Sequence, residues 1–303
     1  MGQPANPEST TVTLSAAMGR RRRMRNSTSE VLPTPEQNPE TVMIGRGTLT
    51  RGQDGAATWA ALSYRFMSNP LHTATVESVE PLSDWVHRVT LRIEGGTPFH
   101  FEPGQYISLH MQLHDGHEHL RHFSIASPSA GDNRIELCMT QSGTLAGTSA
   151  DVLPRPGRRL HFSGPKGTFR LREPVDRDLV FIATGTGISP LRPMLHRALD
   201  SGSGRELTLL YGARTEADIL YRAEFEGLAA VRSNFRFLPT LSRPHPGWPG
   251  LTGYVQLHLD QALGGRADLD VYVCGLTQML DAVRPVLRER ELDPGHVHYE
   301  KHS

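Results

Sequence analysis

Hydrophobic periodicity changes once along this chain, and that change limits the folds open to it. From Leu71 to Phe162 the apolar residues recur in short alternating segments rich in β-branched side chains: "TATVESV", "VHRVTLRI", "QYISLHM", "RHFSIAS", "RIELCMT" and "RLHFSG". A period of two marks strands with one buried face, and six of them, parted by Gly, Pro, Asn and Asp turns, predict a six-stranded antiparallel β-barrel. The segment "SGPKGTFRLREPVDRD" (Ser163 to Asp178) reads as a crossing between domains, after which strands alternate with helices. The strands are "LVFIATG", "LTLLYGA", "FRFLPTL", "DVYVCG" and "HVHYE"; the helices are "PLRPMLHRALDSG", "ADILYRAEFEGLAA" and "TQMLDAVRPVLRER". Such alternation predicts an α/β domain with a five-stranded parallel sheet and helical crossovers.

Ahead of both lies a stretch rich in Ser, Thr, Pro, Gly, Asn and Gln with little apolar periodicity, which predicts a disordered tail. The expected layout is therefore 1–68 tail, 69–172 barrel and 173–303 α/β domain. The run "GRRRRMRN" (Gly19 to Asn26) belongs to the tail and reads as a solvated basic stretch. It is followed by "STSEVLPTPEQNPE" where a signal peptide would carry its apolar core, and no apolar run approaches the roughly 20 residues of a spanning helix. A cytoplasmic location is expected. Lys plus Arg and Asp plus Glu number 32 each, so net charge offers no argument for a nucleic acid or membrane partner. The cysteines are Cys138 and Cys274 alone, too few for a disulfide framework or a four-thiolate cluster.

The turn "GTGISP" (Gly185 to Pro190) closes the first strand of the parallel sheet, at the carboxyl edge where such sheets bind ligands. Gly185 and Gly187 allow a tight turn and a close backbone approach; Ser189 suits an N-cap and Pro190 the first helical position. The free N–H groups and positive dipole end of that helix would face an anion, best matched by a pyrophosphate. A purely structural strand-to-helix turn fits the same residues. In the barrel, "LRHFSIASPS" (Leu120 to Ser129) sets Arg121 and Phe123 on one face of a strand and His122 and Ser124 on the other. An arginine can hold phosphate, an aromatic can stack on a planar ring, and a hydroxyl can bond a ring nitrogen, although a surface arginine beside a core phenylalanine gives the same pattern.

Seven segments between Pro103 and Lys301, in order, resemble the landmarks of the ferredoxin reductase superfamily: "PGQYISL", "RHFSIASP", "GPKGTF", "GTGISPLRPML", "LLYGART", "YVCG" and "HYEK"; the resemblance covers about residues 71 to 301. The resemblance implies a flavin-binding barrel followed by a nicotinamide-binding domain, with FAD the expected flavin, FMN the minority alternative, and NADPH or NADH as substrate. It assigns Arg121 to flavin phosphate, Phe123 to the isoalloxazine face in place of the usual tyrosine, and Ser124 to flavin N5. A Gly-x-x-Ser/Thr step that holds flavin phosphate matches either Gly143 with Thr144 or Gly147 with Thr148 and Ser149, the second being preferred. Gly185, Thr186 and Gly187 would meet the dinucleotide pyrophosphate. Cys274 and Gly275 would lie beside the nicotinamide C4, although a lone cysteine equally suits a small buried hydrophobe. Glu300 would stand close to hydride transfer. Ser242 and Arg243, after the third strand, would flank the adenosine ribose, and an arginine there can pair with a 2'-phosphate.

The implied activity is an NAD(P)H-dependent flavoprotein reductase passing electrons to a separate acceptor, a ferredoxin, an oxygenase component, a haem protein or a small molecule. The alternative is a non-catalytic flavin-binding redox sensor or electron-transfer subunit. Five histidines, His110, His114, His117, His119 and His122, crowd one hairpin, but their spacing fits a polar turn and no metal is expected.

Overall fold

The computed structural model describes residues 71–112, 118–141 and 153–301. Six strands form the first sheet: β1 (Leu71–Pro81), β2 (Val86–Ile93), β3 (Tyr106–Gln112), β4 (Glu118–Ser124), β5 (Arg134–Thr140) and β6 (Arg159–Lys166). They lie in the order β4-β3-β6-β1-β2-β5, every pair antiparallel. A single bridge from Ile125 to Leu137 joins the end of β4 to β5 and closes the sheet. Alternation does here what the sequence demands. Ala74, Val76, Val89, Leu91, Ile107, Leu109, Ile135, Leu137 and Phe162 point into one core, each almost wholly buried.

The second sheet is built from β7 (Asp178–Thr184), β8 (Leu207–Ala213), β9 (Phe235–Leu241), β10 (Leu251–Thr252), β11 (Leu269–Gly275) and β12 (Val297–Lys301). Its order is β10-β9-β8-β7-β11-β12, and all neighbours run parallel. Six strands stand where five were expected. The extra one, β10, has only two residues, too short for any periodicity to register. Helices α1 (Ile188–Asp200), α2 (Arg222–Val231), α3 (Leu259–Leu263) and α4 (Thr277–Glu289) accompany the sheet. The five-residue α3 also escaped the sequence reading.

Two helix starts differ from expectation. A 3-10 turn over Gly185–Gly187 runs straight into α1, so Gly187 takes the N-cap position; Ser189 lies inside the helix, buried, and caps nothing. Pro190 then sits third, still among the N–H positions with no intrahelical partner. α2 begins at Arg222 rather than near Ala217, because Thr215 and Asp218 close a capping box around a separate 3-10 turn and Tyr221 is left-handed at φ 55°.

Strand order reverses direction between β7 and β11: the chain walks outward from β7 through β8, β9 and β10, then returns to lay β11 and β12 on the other side. Crevices for ligands open at such a switch point, outside the carboxyl ends of the strands. Val86, Ala126, Cys138 and Phe169 from the barrel side share one apolar cluster with residues of β7, α1 and β11, so the barrel packs directly on the parallel sheet. Among the described residues no helix is long and apolar enough to cross a membrane.

Candidate active site

The carboxyl ends of β7 and β11 meet the end of β4, and the candidate residues gather there. Parallel pairing sets Cys274 opposite Glu300. The Ser124 hydroxyl, at the end of β4, donates to Glu300 Oε1 at 3.4 Å. Residues 176 positions apart in sequence thus form one contact between the two sheets. Burial pushes the Glu300 carboxyl up to about 7, with the Ser124 bond pulling the other way. The Cys274 thiol is fully buried, and burial followed by the Glu300 charge holds it well above its ordinary value. Cys274 is therefore a neutral thiol at physiological pH, a small surface and not a nucleophile.

Backbone packing around Cys274 explains two glycines. A Cβ on Gly187 would stand 2.3 Å from the Cys274 carbonyl oxygen, and one on Gly275 would stand 2.5 Å from Thr184 Oγ1. Thr184 Oγ1 itself is buried without a hydrogen-bond partner among the described residues. Gly185 has a different reason: its φ is +53°, with nothing within 4 Å of the position a Cβ would take. The turn is left-handed and open on its outer side, while Tyr211 donates its hydroxyl to the Gly185 carbonyl at 3.1 Å. With no side chain beside it at Gly185, the turn leaves room for a ligand to approach the backbone. Gly187→Ala is expected to lower stability by about 1–3 kcal/mol, since the contact is with main chain that cannot rotate aside. Thermal unfolding measures it; a melting temperature equal to wild type would show that α1 shifts freely.

A cleft of about 260 Å³ runs beside the junction, lined by Leu120, Arg121, His122, Phe123, Cys138, Thr140 and Thr186. It joins the barrel motif to the glycine turn. Arg121 holds its guanidinium carbon 5.5 Å from the Phe123 ring centroid, and its Nη1 is buried with no hydrogen-bond partner among the described residues. A buried, unpaired guanidinium nitrogen is costly unless an anion completes it. Phe123, 9% exposed, is shared between the barrel core and the cleft wall. His122 bonds Ser108 through Nδ1 at 2.9 Å.

Ser242 and Arg243 follow β9 at the same carboxyl edge. The Ser242 N–H donates to the Ala213 carbonyl at 3.0 Å and the Arg243 N–H to the Arg214 carbonyl at 2.8 Å. That pairing sets two exposed arginines, Arg214 and Arg243, at adjoining strand ends. Arg214 belongs to the segment "LLYGART", to none of whose residues the sequence assigns a role. Gly143, Thr144, Gly147, Thr148 and Ser149, the two candidate phosphate steps, lie outside the described residues, as do His114 and His117. Among the described residues no three His, Cys, Asp or Glu side chains converge as metal ligands.

Sequence reading also missed Arg192, Glu136 and Glu224. Arg192 of α1 is 8% exposed and bonds the Ala126 carbonyl at 2.8 Å, Glu136 of β5 at 2.8 Å and Glu224 of α2 at 2.8 Å. No local spacing marks such a trio, because its members belong to three separate elements.

Two family models match the chain, an oxidoreductase FAD-binding domain over residues 73–171 and an oxidoreductase NAD-binding domain over residues 181–285. The chain is 37% identical over 237 residues to ferredoxin–NADP reductase B of Sorangium cellulosum, a match covering 76% of this chain and 97% of that protein. It is 32% identical over 238 residues to the reductase component of phenol 2-monooxygenase from a Pseudomonas strain, covering 75% of this chain but 65% of that protein's length. Among solved structures, the cytochrome P450 reductase of Amycolatopsis superposes with a TM-score of 0.68 at 30% identity, covering 77% of this chain and 71% of that one.

Proposed function

The chain belongs to the ferredoxin reductase superfamily and is an FAD-dependent NAD(P)H oxidoreductase, and from that premise we propose that it delivers electrons to a separate protein acceptor. The observation that carries the reading is the junction of Ser124, Glu300 and Cys274, where the flavin-binding barrel meets the carboxyl edge of the nicotinamide-binding sheet. In the proposed division, residues 69–172 bind the flavin and residues 173–303 the nicotinamide dinucleotide.

The residues present fit both cofactors. Arg121 supplies a cation whose buried Nη1 is an unfilled donor for a flavin phosphate, and Phe123 a ring face beside it. The open glycine turn Gly185–Gly187, leading into α1, suits a pyrophosphate. When bound, the cofactors supply the redox chemistry, a hydride passing from dihydronicotinamide to flavin and electrons leaving for the acceptor. The protein's part is to orient the rings and manage a proton. Ser124 presents a hydroxyl at the seam. Glu300, poised near neutrality, holds or gives up a proton at Oε1 within reach of Ser124. Cys274 and Gly275 keep the surface beneath the nicotinamide small and uncharged, so that a ring can lie close.

Acceptors of three kinds are named among the relatives: a ferredoxin, a monooxygenase and a cytochrome P450. A ferredoxin or an oxygenase component is the acceptor class we favour. Two buried, free cysteines suit a reducing cytoplasm. The exposed arginines at the ends of β8 and β9 favour NADPH, since each can pair with a 2'-phosphate.

Anaerobic mixing of the flavin-loaded protein with NADPH and with NADH tests the reading. Bleaching of the flavin is expected with both, faster with NADPH, and absence of bleaching would remove the proposal. Arg243→Ala is expected to raise KM for NADPH by about tenfold or more while leaving NADH within about twofold, the loss of one charge-assisted contact. Equal effects on both would place Arg243 away from the 2'-phosphate.

A further inference from the structure

One buried cation outside the cofactor contacts ties the two sheets together. Arg192 lies on the second turn of α1, the helix that begins at the glycine turn. One of its terminal nitrogens, Nη1, donates to the Ala126 carbonyl and to Glu136 Oε2, both at 2.8 Å; its Nε donates to both Glu224 oxygens, at 2.8 and 3.0 Å. Ala126 is two residues beyond Ser124 on the flavin side, and Glu136 stands on β5, two residues before Cys138 in the cleft wall. The guanidinium carbon lies 4.3 Å from the centroid of the Tyr221 ring, and the Tyr221 hydroxyl meets the Cys138 thiol at 3.3 Å. His196, one turn further along α1, adds a second donor to Glu224 at 2.7 Å.

Burial alone would lower the Arg192 pKa and raise that of Glu224, yet the ion pair reverses both: the arginine is held charged and the glutamate stays below its ordinary value, with His196 contributing. The pair is therefore ionised with its arginine buried and its glutamate half-buried, and removing the glutamate leaves the buried arginine charge poorly compensated. A planar fork satisfying three acceptors at once also fixes direction, which a lysine's point charge does not. The Ala126 carbonyl, Glu136 and the guanidinium form a rigid strut from the flavin strand to the nicotinamide helix.

We propose that Arg192 is a positioning residue for hydride transfer: its contacts to Ala126 and Glu136 set the spacing between the flavin side and the dinucleotide helix, so that the two rings meet in reacting geometry. The inference rests on the proposed site for the nicotinamide dinucleotide at Gly185–Gly187. A displacement of about 1 Å between reacting groups can slow a reaction by about 100-fold without weakening either binding event.

The test uses the full-length holoenzyme and two variants, Arg192→Lys and Glu136→Gln. Flavin content, KM for NADPH and the single-turnover rate of flavin reduction at saturating NADPH are measured separately. In Arg192→Lys the reduction rate is expected to fall about 10- to 100-fold, with flavin content and KM within about twofold of wild type. Glu136→Gln, which keeps the shape and removes one charge from the barrel end, is expected to give a smaller slowing in the same direction. A wild-type reduction rate in Arg192→Lys overturns the proposal. So does loss of flavin or of the folded state in step with the rate in both variants, which would make the strut a stability bond only. Should Arg192→Lys alone fail to fold, Glu136→Gln decides: slowed reduction with flavin retained supports the proposal, and unchanged reduction overturns it. If wild-type protein does not reduce its flavin with NADPH, the proposed function fails first, and that outcome is distinct from any result with the variants.

Discussion

Arg121→Ala is expected to purify as a folded, nearly colourless protein. The Nη1 of Arg121 is buried without a partner among the described residues, and an anion entering the cleft would complete it. A charge-assisted contact between guanidinium and phosphate is worth about 1.5–3 kcal/mol, which corresponds to flavin held roughly 10- to 150-fold more weakly. Stability of the flavin-free protein should change little or rise, because the variant removes an unsatisfied buried donor while the barrel core of Ile107, Leu109, Leu137 and Phe162 stays intact. Flavin absorbance per protein and the thermal midpoint of the apoprotein check the two halves. Full flavin content in the variant would mean that the phosphate lies elsewhere.

Glu300→Gln is expected to slow turnover by about 100-fold or more and to abolish a pH dependence centred near neutrality, since positioned proton transfer contributes about 10²–10⁴ in rate. The carboxyl titrates at about 7 in the folded protein against an ordinary 4.5, burial being the main cause. Between those two values the unfolded chain releases its proton while the folded chain keeps it. Stability therefore falls as pH rises from about 4.5 through about 7 and is level above that, by an amount on the order of 1–3 kcal/mol once solvent at this partly exposed group is allowed for. Glutamine removes the titration. The variant should gain on wild type in thermal midpoint at pH 8 and show no such gain at pH 5. A variant whose rate profile keeps its inflection near 7 would assign that proton to another group.

Much of the architecture was open to a reader of the chain alone. The alternating apolar residues of "VHRVTLRI" and "RIELCMT" can bury one face only as strands, and both are strands of the barrel. The Gly-x-Gly turn after "LVFIA" could be placed on the carboxyl edge because strand and helix periodicities meet there. The failures have local causes. Leu251–Thr252 is too short to show a period, and the capping box of Thr215 with Asp218 displaced the start of α2 in a stretch whose composition favours helix throughout. Ser189 had the chemistry of an N-cap, but the 3-10 turn at Gly185–Gly187 had already begun the helix.

Within the site, the division is sharper. Residue type singled out Arg121, Phe123, Ser124 and the glycine turn as candidates, and the resemblance to the family added Cys274 and Glu300; their roles remain proposals. The order of motifs was enough to pair a flavin barrel with a dinucleotide sheet. What the linear order could not supply was distance. The contact of Ser124 with Glu300, the steric reason for Gly187 against the Cys274 carbonyl, the raised proton affinity of Glu300 and the strut through Arg192 each join elements far apart along the chain. Periodicity is a property of neighbours, and it reads out which face of a strand or helix is buried. Electrostatics and close packing depend on what stands across the gap, which only the closed tertiary structure decides.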